Sequence, residues 1–313
     1  MSAAATASRV ALLLLVAAAG CTRPRPVAPA SAHPRRAATR PAPPARPPRG
    51  PATGEPTLEA PATIALGSWN LRRLGHGSKR LDLAARLIAT NDVVALQEVM
   101  SPAGVHALLE HLPGWDAAIS PAPVGRAGYA EHYAVLYRRD AATVTQAFTV
   151  DDPDDRFTRE PFVACLRAGA FDFCLLTIHV VFGGRVGPRD AEIAALGPLL
   201  DALATRTGER DWLVIGDFNR PARAASFATL AGRGYRMATG ERILPTSLGR
   251  GGYKSDYDHL LLDPTATTEW RHDCERVDFV AQSCGGDFDR CAAELSDHAP
   301  IRATFVTVGP DDD

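Results

Sequence analysis

Trp212-Leu213-Val214-Ile215-Gly216-Asp217-Phe218-Asn219 decides how the rest of the chain is read. Four large apolar residues in an unbroken run suit a buried strand and are too few for a helix. The run stops abruptly in a carboxylate and an amide. The same form recurs outward from it. Residues 63–70 are strand-like and end in Trp69-Asn70, Val93-Val94-Ala95-Leu96 ends in Gln97-Glu98, and residues 173–179 end in Ile178-His179. A continuous apolar run is what a strand covered on both faces requires. Further strands are expected at 115–119, 131–137, 162–166, 258–262 and 300–306. Between them, residues 79–90 carry Leu81, Ala84, Leu87 and Ile88 at helical spacing. Residues 101–110 read as a helix capped by Ser101 ahead of Pro102. A long helix over 189–204 turns Ile193, Leu196, Leu199, Leu200 and Leu203 inward. No internal repeat is seen. The pattern is one strand-rich α/β domain with its helices outside.

The ends of the chain differ from this domain. Of 313 residues, 34 are Lys or Arg and 36 are Asp or Glu. Residues 22–62 hold 12 of the 25 prolines and 7 arginines, against Glu55 and Glu59 alone. Setting aside that segment and Arg9 leaves 26 basic and 34 acidic residues in 63–313, a net charge of about −8. This excludes a protein held to nucleic acid by bulk positive charge. The abundance of Leu, Val, Ile and Phe over some 250 residues excludes a fully disordered chain.

Arg9, the apolar run Val10–Ala19 and Gly20-Cys21 read as a secretory signal. Ala18-Ala19-Gly20-Cys21 resembles a bacterial lipobox, which implies lipidation at Cys21 and an exported chain: an outer-membrane lipoprotein, or a periplasmic or secreted protein. Residues 22–62 read as an extended Pro/Ala/Arg tether, and 308–313 as an acidic tail to a domain spanning 63–307. Cysteine usage agrees with export. If Gly169-Ala170 form a two-residue hairpin turn, Cys165 and Cys174 fall opposite each other at a non-hydrogen-bonded position, where a disulfide fits. Cys274, Cys284 and Cys291 remain, so one stays free whichever pair forms. No C-x-x-C pair points to zinc.

The strand ends carry the chemistry. Asn70, Glu98, His179, Asp217 and Asn219, with Asp297-His298 just before the last strand, bring carboxylates, amides and imidazoles from separate elements. Oxygen donors of this kind suit a hard divalent cation, which neutralises phosphate oxygens. A neighbouring histidine binds phosphate or moves a proton near neutral pH. Each fragment alone is an ordinary turn; the combination is not.

Trp69-Asn70, Gln97-Glu98-Val99, His179, Gly216-Asp217-Phe218-Asn219, Tyr257-Asp258 and Ser296-Asp297-His298, in that order, resemble the endonuclease/exonuclease/phosphatase superfamily over about residues 64–305. The resemblance implies a four-layered α/β sandwich of two packed mixed sheets flanked by helices, with the active site at one rim. Within the superfamily, Asn70–Gly75, Tyr129–Tyr133 and Phe157-Thr158-Arg159-Glu160-Pro161 are most similar to deoxyribonuclease I. Carried over residue by residue, Glu98, Asn70 and Asp297 form the Mg²⁺ site or its water-bridged surroundings, with Mn²⁺ or Ca²⁺ as substitutes. Asp217 orients or deprotonates the attacking water, and Asn219 holds a phosphate oxygen. His298 contacts the scissile phosphate with Asp258 behind it, and His179 and Glu131 form a second pair. Arg72 and Arg159 clamp flanking phosphates, and Tyr129 packs against a sugar. His259 has no carried role and reads as structural.

Met100 stands where deoxyribonuclease I presents a minor-groove arginine, and no disulfide loop follows Asn219. Arg72, Arg73, Arg126, Arg159, Arg185 and Arg189 are candidates for a local basic strip on an acidic domain. The expectation is an exported, Mg²⁺-dependent, monomeric phosphodiesterase, a nonspecific DNA endonuclease that touches membrane through its lipid anchor only. The alternatives are a phosphoesterase of lipid headgroups, sphingomyelinase-like or acting on inositol phosphates, and an inactive binding lipoprotein.

Overall fold

The computed structural model describes residues 61–126 and 128–309. The expected leader, Cys21 and the tether up to residue 60 lie outside the described residues, as do residues 310–313 of the acidic end. The first half holds β1 (Thr63–Leu74), α1 (Leu81–Ile88), β2 (Val93–Val99), α2 (Pro102–Leu109), β3 (Trp115–Ile119), β4 (Val124–Arg126), β5 (Tyr129–Arg138) and β6 (Thr143–Thr149). Next come β7 (Phe162–Ala168), β8 (Phe171–His179), α3 (Gly187–Thr207), β9 (Trp212–Asp217), α4 (Ala228–Ala231) and β10 (Arg236–Met237). The last part holds β11 (Leu248–Gly249), β12 (Gly252–Tyr253), β13 (Asp258–Leu262), β14 (Glu275–Arg276), α5 (Phe279–Cys284), α6 (Phe288–Glu294) and β15 (Ile301–Val306).

Two mixed sheets result. One runs β14-β15-β1-β2-β5-β3 with β4 paired on β5, the other β10-β13-β9-β8-β7-β6. The pairs β1–β2 and β8–β9 are parallel. Side chains alternate across each strand, so each sheet has two faces to cover. Ile64, Leu66, Val135, Phe173, Leu175 and Phe305 meet in a core between the sheets. Trp69, Val94 and Leu96 face outward onto Leu87 and Ile88 of α1 and Phe279 of α5. Leu176, Ile178 and Val214 face outward from the second sheet onto α3, where all five expected apolar residues are buried. Each fully buried side chain of this size contributes about 1.5–3 kcal/mol. The outcome is a four-layered α/β sandwich.

Three local features depart from or extend the sequence reading. Ser101 precedes α2 in extended backbone, but its side chain makes no capping hydrogen bond. Its hydroxyl is turned to Gly75 instead, where an added Cβ would lie 2.7 Å from Ser101 Oγ. The β7–β8 hairpin sets Cys165 opposite Cys174, and a disulfide joins them. A second disulfide links Cys284 and Cys291 across α5 and α6, and buried Cys274 stays free, its thiol pushed up to about 12 by burial.

Candidate active site

Parallel strands deliver their C-terminal ends to the same rim, where the crevice of an α/β sheet lies. β1, β2, β8 and β9 bring Asn70, Glu98, His179 and Asp217 there. Their antiparallel neighbours contribute from the opposite end: β5 begins with Tyr129 and Glu131, and β13 begins with Asp258. Asp217 pairs with His179 on one side and with Asp258 on the other. Only glycine can precede it, because Gly216 has φ 144° and a Cβ there would sit 1.9 Å from the Ile178 carbonyl oxygen.

A cleft of ≈ 580 Å³ opens at this rim, and nine of the twelve expected catalytic, metal and phosphate residues line it. The other three, Asn70, Glu131 and Asp258, stand directly behind and are no more than 1% exposed. Arg72, Arg73, Glu98 and Asn219 all line the cleft with positive φ, and they are four of the six non-glycine residues in that region of backbone space among the described residues. Each such conformation costs of order 1–3 kcal/mol and concentrates at functional sites. At Glu98 the cause is an irregularity in the β2–β5 ladder between Leu96 and Val99. It turns the carboxylate toward the cleft.

Two histidine–carboxylate pairs flank Asp217. His298 Nδ1 lies 2.7 Å from Asp258 Oδ2, and His179 Nδ1 lies 2.9 and 3.1 Å from the two oxygens of Glu131. A carboxylate only accepts, so each Nδ1 carries hydrogen and each Nε2 is left for the cleft. Those two Nε2 atoms lie 3.7 Å (His179) and 3.6 Å (His298) from the same oxygen, Asp217 Oδ2. Burial pulls the His298 ring down, but Asp258 and then Asp217 outweigh it and raise the ring to about 10. Burial acts on His179 in the same sense and is likewise outweighed, chiefly by Glu131, so it too titrates above its ordinary value. The His298 ring is therefore an imidazolium donor near neutral pH, and His179 is shifted in the same direction.

Glu131 is held from three sides. Besides His179, it accepts from the Glu98 amide at 3.3 Å and pairs with Arg159 Nε at 3.3 Å. Burial alone would push its carboxyl up; His179 and Arg159 outweigh this and hold it below the ordinary range. Arg159 thus differs in placement from a projecting phosphate clamp: it is 8% exposed, and Nη1 donates to the His179 carbonyl at 2.9 Å. A fully buried carboxylate needs a cation, and Arg159 supplies it. Its guanidinium also lies 5.3 Å from the Tyr129 ring centroid. Arg72 stays near the surface with Nε 3.5 Å from Asp297 and Nη1 donating to the Ala292 carbonyl at 2.7 Å. Of the proposed basic strip, Arg126 pairs with Asp155 and Arg189 donates to two carbonyls. Arg73 and Arg185 remain exposed without an ion pair among the described residues.

Asn70 Oδ1 accepts from the Arg72 amide at 3.0 Å, which turns Nδ2 to donate to Glu98 and Asp217, each at 3.1 Å. Asn70 therefore braces the two carboxylates. Glu98 and Asp297, both lining the cleft and partly exposed, are left as an all-oxygen donor set of the kind a hard divalent cation takes. Asp217, Asp258 and His298 also bring their ligand atoms within 4.8 Å of one another. The Nδ1 hydrogen lies between His298 and Asp258, so that ring nitrogen is already engaged and does not face a metal. Asn219 donates through Nδ2 to the Val180 carbonyl at 2.9 Å, and its backbone amide donates to Asp217 Oδ1 at 2.9 Å. One side-chain amide hydrogen is left for substrate. His259 is structural: it bonds the Arg220 carbonyl at 2.8 Å among Phe218 and Phe227.

Residues 67–311 match the endonuclease/exonuclease/phosphatase family. The chain belongs to this family. A deoxyribonuclease of Thioalkalivibrio sp. (strain K90mix) is 35% identical over 263 residues, spanning 78% of this chain and 71% of the relative. Deoxyribonuclease-1-like 2 of Homo sapiens is 29% identical over 298 residues, spanning 79% and 94%. Among solved structures, D. rerio TDP2 complexed with single strand DNA product superimposes with a TM-score of 0.57 at 18% identity, covering 78% of this chain and 99% of that one. A Bacteroides thetaiotaomicron endonuclease/exonuclease/phosphatase family protein gives 0.56 at 19% identity, covering 79% and 98%. The fold is the same in both. The chain is accordingly a hydrolase of the phosphodiesterase type, and its two histidine–carboxylate pairs lie at the rim of the fold.

Sequence reasoning did not single out Phe182 and Glu192 or give Arg189 its place. Phe182 lines the cleft although 65% exposed, and Arg189 and Glu192 are buried polar residues on α3. The available signal was Arg189 and Glu192 three apart at the start of a helix whose other buried positions are apolar.

Proposed function

We propose that this protein is an exported, Mg²⁺-dependent DNA endonuclease that hydrolyses phosphodiester bonds with an activated water. The single observation that carries the reading is the placement of two imidazole Nε2 atoms, each on a ring backed by a buried carboxylate, around one oxygen of Asp217. In the proposed reaction a water held by Asp217 attacks phosphorus. Its proton passes to Asp217, the P–O bond to the leaving group breaks, and His179 protonates the departing oxygen. His298 and one amide hydrogen of Asn219 bind the non-bridging oxygens and favour the charge of the transition state. Bound between Glu98 and Asp297, Mg²⁺ would supply further charge for the phosphate oxygens.

The choice of DNA rests on the relatives named as deoxyribonucleases, and export rests on the leader sequence ending in Cys21. The proposed lipid anchor at Cys21 would leave the tether to hold a monomeric enzyme off the membrane. Incubation of the purified full chain with supercoiled plasmid in Mg²⁺, then in EDTA, beside sphingomyelin and inositol-phosphate assays, tests the reading. Nicking that needs Mg²⁺ is expected. Turnover of lipid or inositol phosphate alone would select the lipid-headgroup enzyme, and no turnover of any substrate would select the binding lipoprotein.

A further inference from the structure

We infer that Phe182 is a stacking platform for an unpaired nucleobase next to the scissile phosphate, and that it biases the enzyme toward single-stranded or locally unpaired DNA. The inference rests on the DNA reading of the cleft. Phe182 follows His179 by three residues and lines the same cleft, yet the residue is 65% exposed. It is the most exposed large apolar residue among those described. A nucleobase supplies an apolar face of matching size for an aromatic ring that stands in water beside a phosphate site.

The backbone that presents this ring is fixed on both sides. The Val181 amide donates to Glu192 Oε2 at 2.9 Å, and Glu192 Oε1 accepts from the Thr158 amide at 2.9 Å. The Gly183 carbonyl accepts from Arg189 Nη2 at 2.8 Å, while Arg189 Nη1 donates to the Asn219 carbonyl at 3.0 Å. Glu192 and Arg189 are 4% and 9% exposed, so these two charged groups of α3 are turned inward to hold this loop against the catalytic one. The Arg189 guanidinium also lies 5.7 Å from the Phe182 ring centroid, which places positive charge beside the platform. Tyr129 is only half-exposed, and two guanidinium groups, those of Arg73 and Arg159, lie 5.9 and 5.3 Å from its ring centroid. Bases inside a duplex already stack on one another, so only an unpaired base is free to use Phe182.

The test compares full-length wild type, Phe182→Ala, Phe182→Leu and Phe182→Trp on two single-stranded oligonucleotides, one with all its bases and one with an abasic nucleotide beside the cleavage position, and on a duplex of the same sequence. Base–aromatic stacking is worth about 5- to 150-fold per base. The expected result is a loss of that order in kcat/KM for Phe182→Ala on the intact single strand, a smaller one for Leu, and retention with Trp. Phe182→Ala should cost less than about threefold on the abasic strand and on the duplex. Equal losses on all substrates would mean that the residue only shapes the loop, and no loss on any would mean that no base stacks there. Either overturns the inference while leaving the DNA reading intact. Failure of wild type to cut any DNA overturns both.

Discussion

Replacing Asp258 by Asn removes one negative charge 2.7 Å from His298 Nδ1 with almost no change in shape. In the native protein the ring rises from 6.5 to about 10 despite burial, with Asp258 the largest raising influence and Asp217 the next. If Asp258→Asn forfeits about half of that rise and Asp217 keeps the rest, the ring falls to about 8, a change of roughly 2–3 kcal/mol. At pH 9 the imidazolium fraction then drops from about nine-tenths to about one-tenth, a tenfold loss from charge alone. The amide can also present its NH₂ to Nδ1 and leave Nε2 protonated in the wrong tautomer, and misplacing an acid–base group costs about 10²–10⁴. The sign is fixed. A raised ring is charged below its titration point, so wild-type activity fails as pH rises through about 10, and the variant fails at lower pH. Initial rates of plasmid nicking from pH 6 to 10 in Mg²⁺ provide the assay. A variant within threefold of wild type and with the same alkaline limb would refute the relay between Asp258 and His298. In the His298→Ala background, Asp258→Asn should cost almost nothing more, because the two side chains act as one unit.

Three other outcomes are expected. Gly216→Ala should destabilise the fold by at least about 3 kcal/mol, seen as a lowered Tm, because a Cβ 1.9 Å from the Ile178 carbonyl must move two central strands apart. Removing the Cys165–Cys174 disulfide with a double Ala substitution should cost about 2–3 kcal/mol in urea unfolding, the loop-closure value for a separation of 9 residues. Glu98→Gln should raise the Mg²⁺ concentration for half-maximal nicking by about 10-fold or more and leave Tm within about 2 °C, since the side chain is only partly buried.

Much of the fold was legible because its central strands are covered on both faces, so they appear as unbroken apolar runs that stop where the rim begins. The edge strand β3 and the inner strand β13 fall on the expected residues, and the remaining expected strands differ by a few residues at their ends. β6 was missed for the opposite reason: it is an edge strand with mostly exposed or half-exposed side chains, and its sequence shows no apolar run. The short helices α5 and α6 were missed because six or seven residues carry too little periodicity, although Asp278 and Asp287 accept capping hydrogen bonds at their starts. The polar strand ends could be read one by one, but their mutual arrangement could not. Glu131 and Arg159 are 28 positions apart, and only the packing of the two sheets makes the arginine a counter-ion for a buried carboxylate. The inward turn of Arg189 and Glu192 was hidden likewise, because charged residues in the first turns of a helix usually face water.

The most direct test of the central claim is the nicking rate of supercoiled plasmid by wild type, His179→Ala and His298→Ala in Mg²⁺, with circular dichroism to show that each variant is folded. If the two imidazoles around Asp217 carry the chemistry, each variant loses about 10²–10⁴ in rate and wild type falls to background in EDTA. Nicking by a folded His298→Ala protein at the wild-type rate would contradict the account.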